Sequence, residues 1–188
     1  NIFYMSNARL SVRDSLVDWR ELILGDQSSL ILDKYHPYED LPKMINPTSG
    51  YIFNTNNSPF NSTAEFENLK EEDYNSTFSF MEEENNRSIR FMELIDEYEK
   101  LSYEDFKEIK YDQQYPDSIL YIGNISQIFD LDKSEFPNYE NLIDLIQNWD
   151  RRGDIENIGA AQWSLYYSYM LDVLSENDLN VKDTIDIK

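Results

Sequence analysis

Pro37, Pro42, Pro47 and Pro59 punctuate one stretch of the chain, and no other feature limits its folding as sharply. Proline fixes φ, removes a backbone donor and pushes the residue before it away from helical geometry. Residues 35–60, YHPYEDLPKMINPTSGYIFNTNNSPF, are therefore expected to form extended segments and turns. The neighbouring runs agree. NIFYM at 1–5 is aromatic and β-prone, and SLILD at 29–33 is a second short apolar run. GYIFN at 50–54 reads as a short strand ending at an asparagine cluster. Residues 61–80 are polar and weakly patterned, a long loop with a helical turn.

From about residue 83 the period changes. Ile89, Met92, Ile95 and Tyr98 recur at three-residue steps, with Phe91 and Leu94 widening the stripe, which predicts an amphipathic helix over about 85–100. Ser102 and Asp105 resemble a capping box with a shortened acid, opening a second helix that carries Phe106 and Ile109. Pro116 opens a third, short helix with Ile119, Leu120 and Ile122, ended by Gly123, after which Ile125 and Ile128 pack inward. Pro137 precedes a fourth, with Leu142, Leu145, Ile146 and Trp149 on one face. Gly153 breaks the chain. A fifth helix over about 157–174 offers Ala160, Ala161, Leu165, Tyr169 and Leu174 for packing. The expected class is α+β and predominantly helical: an extended, β-rich first third over 1–62 and a helical domain over 83–175.

Composition removes several functions. The formal net charge is −21, which disfavours nucleic acid and anionic membrane surfaces as partners. Without cysteine there are no disulfides, thiolate nucleophiles or cysteine metal sites, and with His36 as the single histidine there is no histidine cluster for zinc. No apolar run approaches a membrane span, and no signal peptide is visible. The chain starts at Asn1 rather than methionine. A piece of a longer protein is therefore expected, its upstream part holding a signal peptide and catalytic residues.

Four sets of residues are candidates for chemistry, each with a plain alternative. Asn54 ends the expected strand, where a side-chain NH₂ can donate to a developing oxyanion; it can equally cap a turn through its own backbone. Asn46, Asn56 and Asn57 read as turn formers. Arg87 and Arg90 share one side of a helix start, either in a functional role or paired with the upstream EEENN run. Asp112 and Asp150 lie at helix ends, as paired catalytic carboxylates or as local ion pairs. His36 is a general base or, more in keeping with its apolar neighbours, a structural histidine.

The stretch 35–60 resembles the penicillin acylase family, which includes penicillin amidases, acyl-homoserine-lactone acylases and aculeacin-type acylases. The shared pattern runs Leu41-Pro42, Asn46-Pro47, Gly50-Tyr51 and Asn54-Thr55-Asn56-Asn57-Ser58-Pro59. NIFYMSNARLSVRDSLVDW, NRSIRFMELI, LSYEDFKEIKYDQQYPDS and NWDRRGDIENIGAAQW are similar to further family segments in the same order. Ser11 stands where proline is expected. The resemblance spans about residues 1–170.

It implies an N-terminal-nucleophile hydrolase of αββα architecture, of which this chain is a fragment of the large subunit. In that family a precursor cleaves itself and exposes a serine whose own α-amine serves as base. By motif, Asn54 matches the oxyanion-hole asparagine and Arg87 the arginine that organises the site around it. No counterpart of the nucleophilic serine is found, so the isolated piece is expected to be inactive. The implied partners are the small subunit, the rest of the large subunit and a small N-acyl amide substrate. No cofactor is implied for the chemistry. The family often carries one structural calcium, whose ligands the resemblance does not assign here. The implied location of the parent is periplasmic or secreted. The alternative is a non-catalytic binding or scaffold module.

Overall fold

The computed structural model describes residues 1–6, 9–19, 21–78, 80, 84–117, 119 and 125–176. They divide into two compact units, Asn1–Asn85 and Asn86–Lys188.

In the first unit, strand β1 (Phe3–Met5) runs antiparallel to β2 (Lys43–Ile45), with Phe3 opposite Ile45 and Met5 opposite Lys43. Backbone bonds from Ser6 to Pro42 and from Asn46 to Ile2 extend the pair at both ends. Asn46 turns out of the ladder at φ 48°, and its side-chain oxygen takes the Ile2 N–H in place of backbone, at 2.9 Å. NIFYM thus forms its strand. SLILD does not: Ser28–Leu30 is a 3-10 turn and Ile31 is exposed. GYIFN belongs to no sheet, and its Gly50, at φ 81°, is a turn residue.

The β-rich first third expected over 1–62 reduces, among the described residues, to one two-stranded sheet, an isolated bridge between Ser11 and Tyr35 and one more 3-10 turn at Tyr38–Asp40; further 3-10 turns at Glu65–Glu67, Glu71–Asp73 and Ser76–Phe78 follow in the stretch expected as a loop with a helical turn. The physical reason is visible in the backbone. Asn46, Gly50 and Asn56 take positive φ and interrupt the extended runs. Side-chain oxygens, rather than neighbouring strands, satisfy the freed N–H groups. Leu41, Pro42, Met44, Phe53 and Phe78 are buried here, together with Ser58, Ser62 and Thr63.

The second unit is helical: α1 (Asn86–Ile95), α2 (Tyr103–Lys110), a 3-10 segment (Ile125–Phe129), α3 (Glu140–Gln147) and α4 (Ile158–Glu176). The capping box is made in both directions, Asp105 N–H to Ser102 Oγ at 3.2 Å and Ser102 N–H to Asp105 Oδ2 at 2.7 Å. Of the third helix expected after Pro116, Ser118 and residues 120–124 lie outside the described residues, and Ile119 is not helical.

The core gathers Ile128, Ile143, Ile146, Trp149, Trp163 and Met170. Trp149 stacks on Trp163 with centroids 5.9 Å apart, and Phe129 covers the other ring at 5.4 Å. Gly159 lets α4 begin against Trp149, since a Cβ there would lie 2.6 Å from the indole. Gln147 Nε2 donates to the carbonyls of Ile128 and Leu131, tying α3 to the 3-10 segment.

Two packing faces differ from the expected ones. On α3, Ile143 replaces Leu145, which is exposed, because the buried arc centres on Ile146. On α4, the buried positions are Gly159, Trp163 and Met170, whereas Leu165 and Tyr169 are each 67% exposed and Ala161 is exposed. The side chain of Leu174 lies outside the described residues.

Candidate functional site

The asparagine cluster folds as a loop with a polar interior. Pro47–Gly50 closes a turn through the Gly50 N–H and Pro47 carbonyl at 3.0 Å, with Gly50 at φ 81°. Residues 51–53 then run beside 62–63. Phe53 N–H donates to Ser62 O at 2.9 Å, and Thr63 Oγ1 donates to Tyr51 O at 2.8 Å. Phe53 is buried and anchors this limb, while Asn54, the next residue, is exposed.

Asn54 Oδ1 accepts the N–H of Asn56 at 2.9 Å. Asn56 sits at φ 65°, a geometry that asparagine tolerates better than most residues. The side chain of Asn54 also shares a hydrogen bond with the Tyr4 hydroxyl; burial pushes that phenol up, and the bonds to Ser6 and Asn54 pull it partly back. A bond that lowers a phenol is one donated to its oxygen, so one N–H of the Asn54 NH₂ faces Tyr4 while the amide oxygen is held by the turn. The bond from the Asn56 N–H is the turn-capping arrangement expected as the alternative for Asn54.

The other carboxamides hold the loop. Asn57 Oδ1 accepts from both the N–H and hydroxyl of Thr55, at 2.7 and 3.0 Å, and its NH₂ donates to the carbonyls of Ser58 and Asn61. Asn68 Oδ1 accepts the N–H groups of Ser62 and Thr63 at 2.9 and 3.1 Å. Glu67 grips the incoming limb. One oxygen takes the Thr48 N–H at 2.6 Å and the Thr48 hydroxyl, and the other takes the Ser49 N–H at 2.9 Å. These bonds, the Thr48 hydroxyl foremost, hold the carboxyl down to about 2. Ser49 Oγ meets Thr63 Oγ1 at 2.8 Å, which closes the circuit between the two limbs. Sequence reasoning missed Glu67, Asn68 and Thr63. They lie in a weakly patterned run crowded with acids at 65, 67, 71, 72 and 73, where no spacing distinguishes one carboxylate.

Arg87 lies in the second unit, exposed in the first turn of α1. Arg90 is committed elsewhere. Its guanidinium meets Asp112 at 2.9 and 3.3 Å and Glu93 at 3.2 Å, and Asp112 in turn holds the arginine proton more tightly. Glu93 spends its second oxygen on the Asp117 N–H. Asp150 accepts the Arg152 N–H and the Asn157 amide, which lower its carboxyl in that order. Arg152 itself pairs with Asp154 at 2.7 Å. Both aspartates are thereby engaged in local structure. The His36 side chain is 8% exposed, with Nδ1 3.8 Å from Asp40 and the ring set at right angles to Phe78, centroids 4.6 Å apart.

Among the described residues no group of three or more histidine or acidic side chains is arranged to hold a metal ion. No helix among them is long and apolar enough to cross a membrane. In a comparison with known families, the family model described as Penicillin amidase matches residues 1–187.

Proposed function

The chain belongs to the penicillin amidase family, and on that premise we propose that it is the part of an N-acyl amide hydrolase that supplies the oxyanion-hole asparagine, Asn54. The family supports amide hydrolysis in the intact enzyme. The observation that carries the role of Asn54 is its geometry: an exposed carboxamide whose oxygen is already bound by the Asn56 N–H. In this reading the nucleophilic serine is supplied by another part of the acylase, within an αββα N-terminal-nucleophile fold. Its hydroxyl attacks the amide carbon, and negative charge builds on the carbonyl oxygen. Asn54 Nδ2–H donates to that oxygen. The C–N bond then breaks, the amine leaves with a proton, and water hydrolyses the resulting ester to release the acid and restore the hydroxyl. By motif, Arg87 takes the family's organising role in the intact enzyme. The substrate is an acyl-homoserine lactone or a penicillin-type amide.

A donor aimed before reaction costs no reorganisation when the charge develops. Losing one such donor typically costs about 2.7–4 kcal/mol, or roughly 100–1000-fold in rate. Asn54→Ala in the intact acylase is expected to lower kcat on that scale, measured by amine release from a panel of N-acyl amides. A loss below about threefold, far under that range, removes Asn54 from the site. An intact gene product that is never cleaved to expose a serine, and that turns over none of the panel, would instead favour a binding or scaffold module.

A further inference from the structure

We infer that Glu67 and Asn68 are positioning residues for Asn54, acting as a two-residue buckle that sets where the carboxamide donor sits. This rests on the oxyanion reading of Asn54 given above. Neither residue touches Asn54. Glu67 holds the limb that leads to it, through the N–H groups of Thr48 and Ser49. Asn68 holds the return limb, through the N–H groups of Ser62 and Thr63. The limbs are joined at three further points: Ser49 Oγ to Thr63 Oγ1, Thr63 Oγ1 to Tyr51 O, and Phe53 N–H to Ser62 O. Asn54 is the next residue after the last of these links.

No sheet supports this segment, so adjacent side chains from one 3-10 turn and its cap do the work that strand partners do elsewhere. The return limb is enclosed, with Ser62 and Thr63 at most 1% exposed, whereas Thr48 is exposed and Ser49 and Glu67 are half-buried. Releasing Asn68 leaves the buried N–H groups of Ser62 and Thr63 short of a partner, and releasing Glu67 frees the incoming limb to shift. Misplacing a catalytic donor by about an ångström costs on the order of 100-fold.

The chemistry of the two residues makes distinct variants informative. Both oxygens of Glu67 face donors, so Glu67→Gln would set an NH₂ group against an N–H. Asn68 uses one oxygen for both bonds to the return limb, so Asn68→Asp keeps the acceptor and Asn68→Ala loses it.

The test is a kinetic double-mutant cycle in the intact acylase, with an N-acyl amide as substrate. Glu67→Gln is expected to lower kcat by about 10–100-fold with a much smaller change in KM, since the donor acts in the transition state. Asn68→Ala should do the same, and Asn68→Asp should recover most of the rate. Combined with Asn54→Ala, neither variant should lower the rate further, because the donor they position is already gone. Unchanged kcat in Glu67→Gln and Asn68→Ala, beside a large loss in Asn54→Ala, would overturn the buckle and leave the oxyanion reading standing. Losses that multiply with that of Asn54→Ala would also overturn it, marking a general effect on folding. Full activity in Asn54→Ala would remove the oxyanion reading and the buckle with it. If Glu67→Gln does not fold, the Asn68→Ala and Asn68→Asp pair decides alone.

Discussion

Glu67 shows how one carboxylate can do what a strand ladder normally does. Its three bonds to Thr48 and Ser49 require the charged form, and they depress its carboxyl from 4.5 to about 2. A group depressed on folding adds stability that is full above its unfolded value and disappears as pH falls through its folded value. The grip on residues 48–49 should therefore be complete above about pH 4.5 and gone below about pH 2. Amide hydrogen exchange at Thr48 and Ser49, followed through that window, is expected to speed up as acid is added, after correction for intrinsic rates. Protection that stays constant down to pH 2 would mean that the Thr48 hydroxyl and local turn hold the limb without the charge. Gly50 contributes differently: at φ 81° with open space around its α-carbon, it is glycine for its backbone and not for packing.

At the scale of elements, α4 separates what periodicity reveals from what it leaves open. Its length and position were legible in the sequence, as were β1 and the Ser102–Asp105 cap, because each depends on residues close together in the chain; α1 was legible too, but it stops at Ile95 rather than near residue 100. Its buried face was not. Apolar residues lie all around this helix, so the pattern that named Leu165 and Tyr169 fitted as well as the one that buries Trp163 and Met170. What decided between them was the stacking of Trp163 on Trp149 and Phe129, contacts from distant sequence. Trp163→Ala should thus cost about 3–5 kcal/mol in urea unfolding, while Leu165→Gln stays within about 0.5 kcal/mol. Equal costs would mean that the exposed stripe is also packed. The site followed the same rule. Asn54 stands out in the sequence because its flanking prolines, glycine and asparagines form a local pattern. Glu67 and Asn68 escaped because their partners stand up to 19 residues away, in a stretch without period.

Across the whole molecule, the two units are stabilised by different means. Residues 86–176 enclose a continuous aromatic and aliphatic core. Residues 1–85 bury a smaller apolar set and rely on side-chain hydrogen bonds to backbone, each worth only about 0.5–1.5 kcal/mol net. Local opening follows the least buried part of a structure. On a urea gradient, exchange protection is expected to vanish first in the 1–85 unit and later in α3 and α4. Coincident loss in both units would show that they unfold as one. The polar loop around Asn54 has a further consequence, in its chemical ageing. Asparagine is the residue that deamidates, and heat-adapted proteins carry less of it. At Asn57 the change to aspartate would keep the acceptor for Thr55 but turn the donor facing the Ser58 and Asn61 carbonyls into a negative charge. The loop around Asn54 is thus held together by side chains that themselves decay, and its working life is tied to how well its own hydrogen bonds keep those amides from reacting.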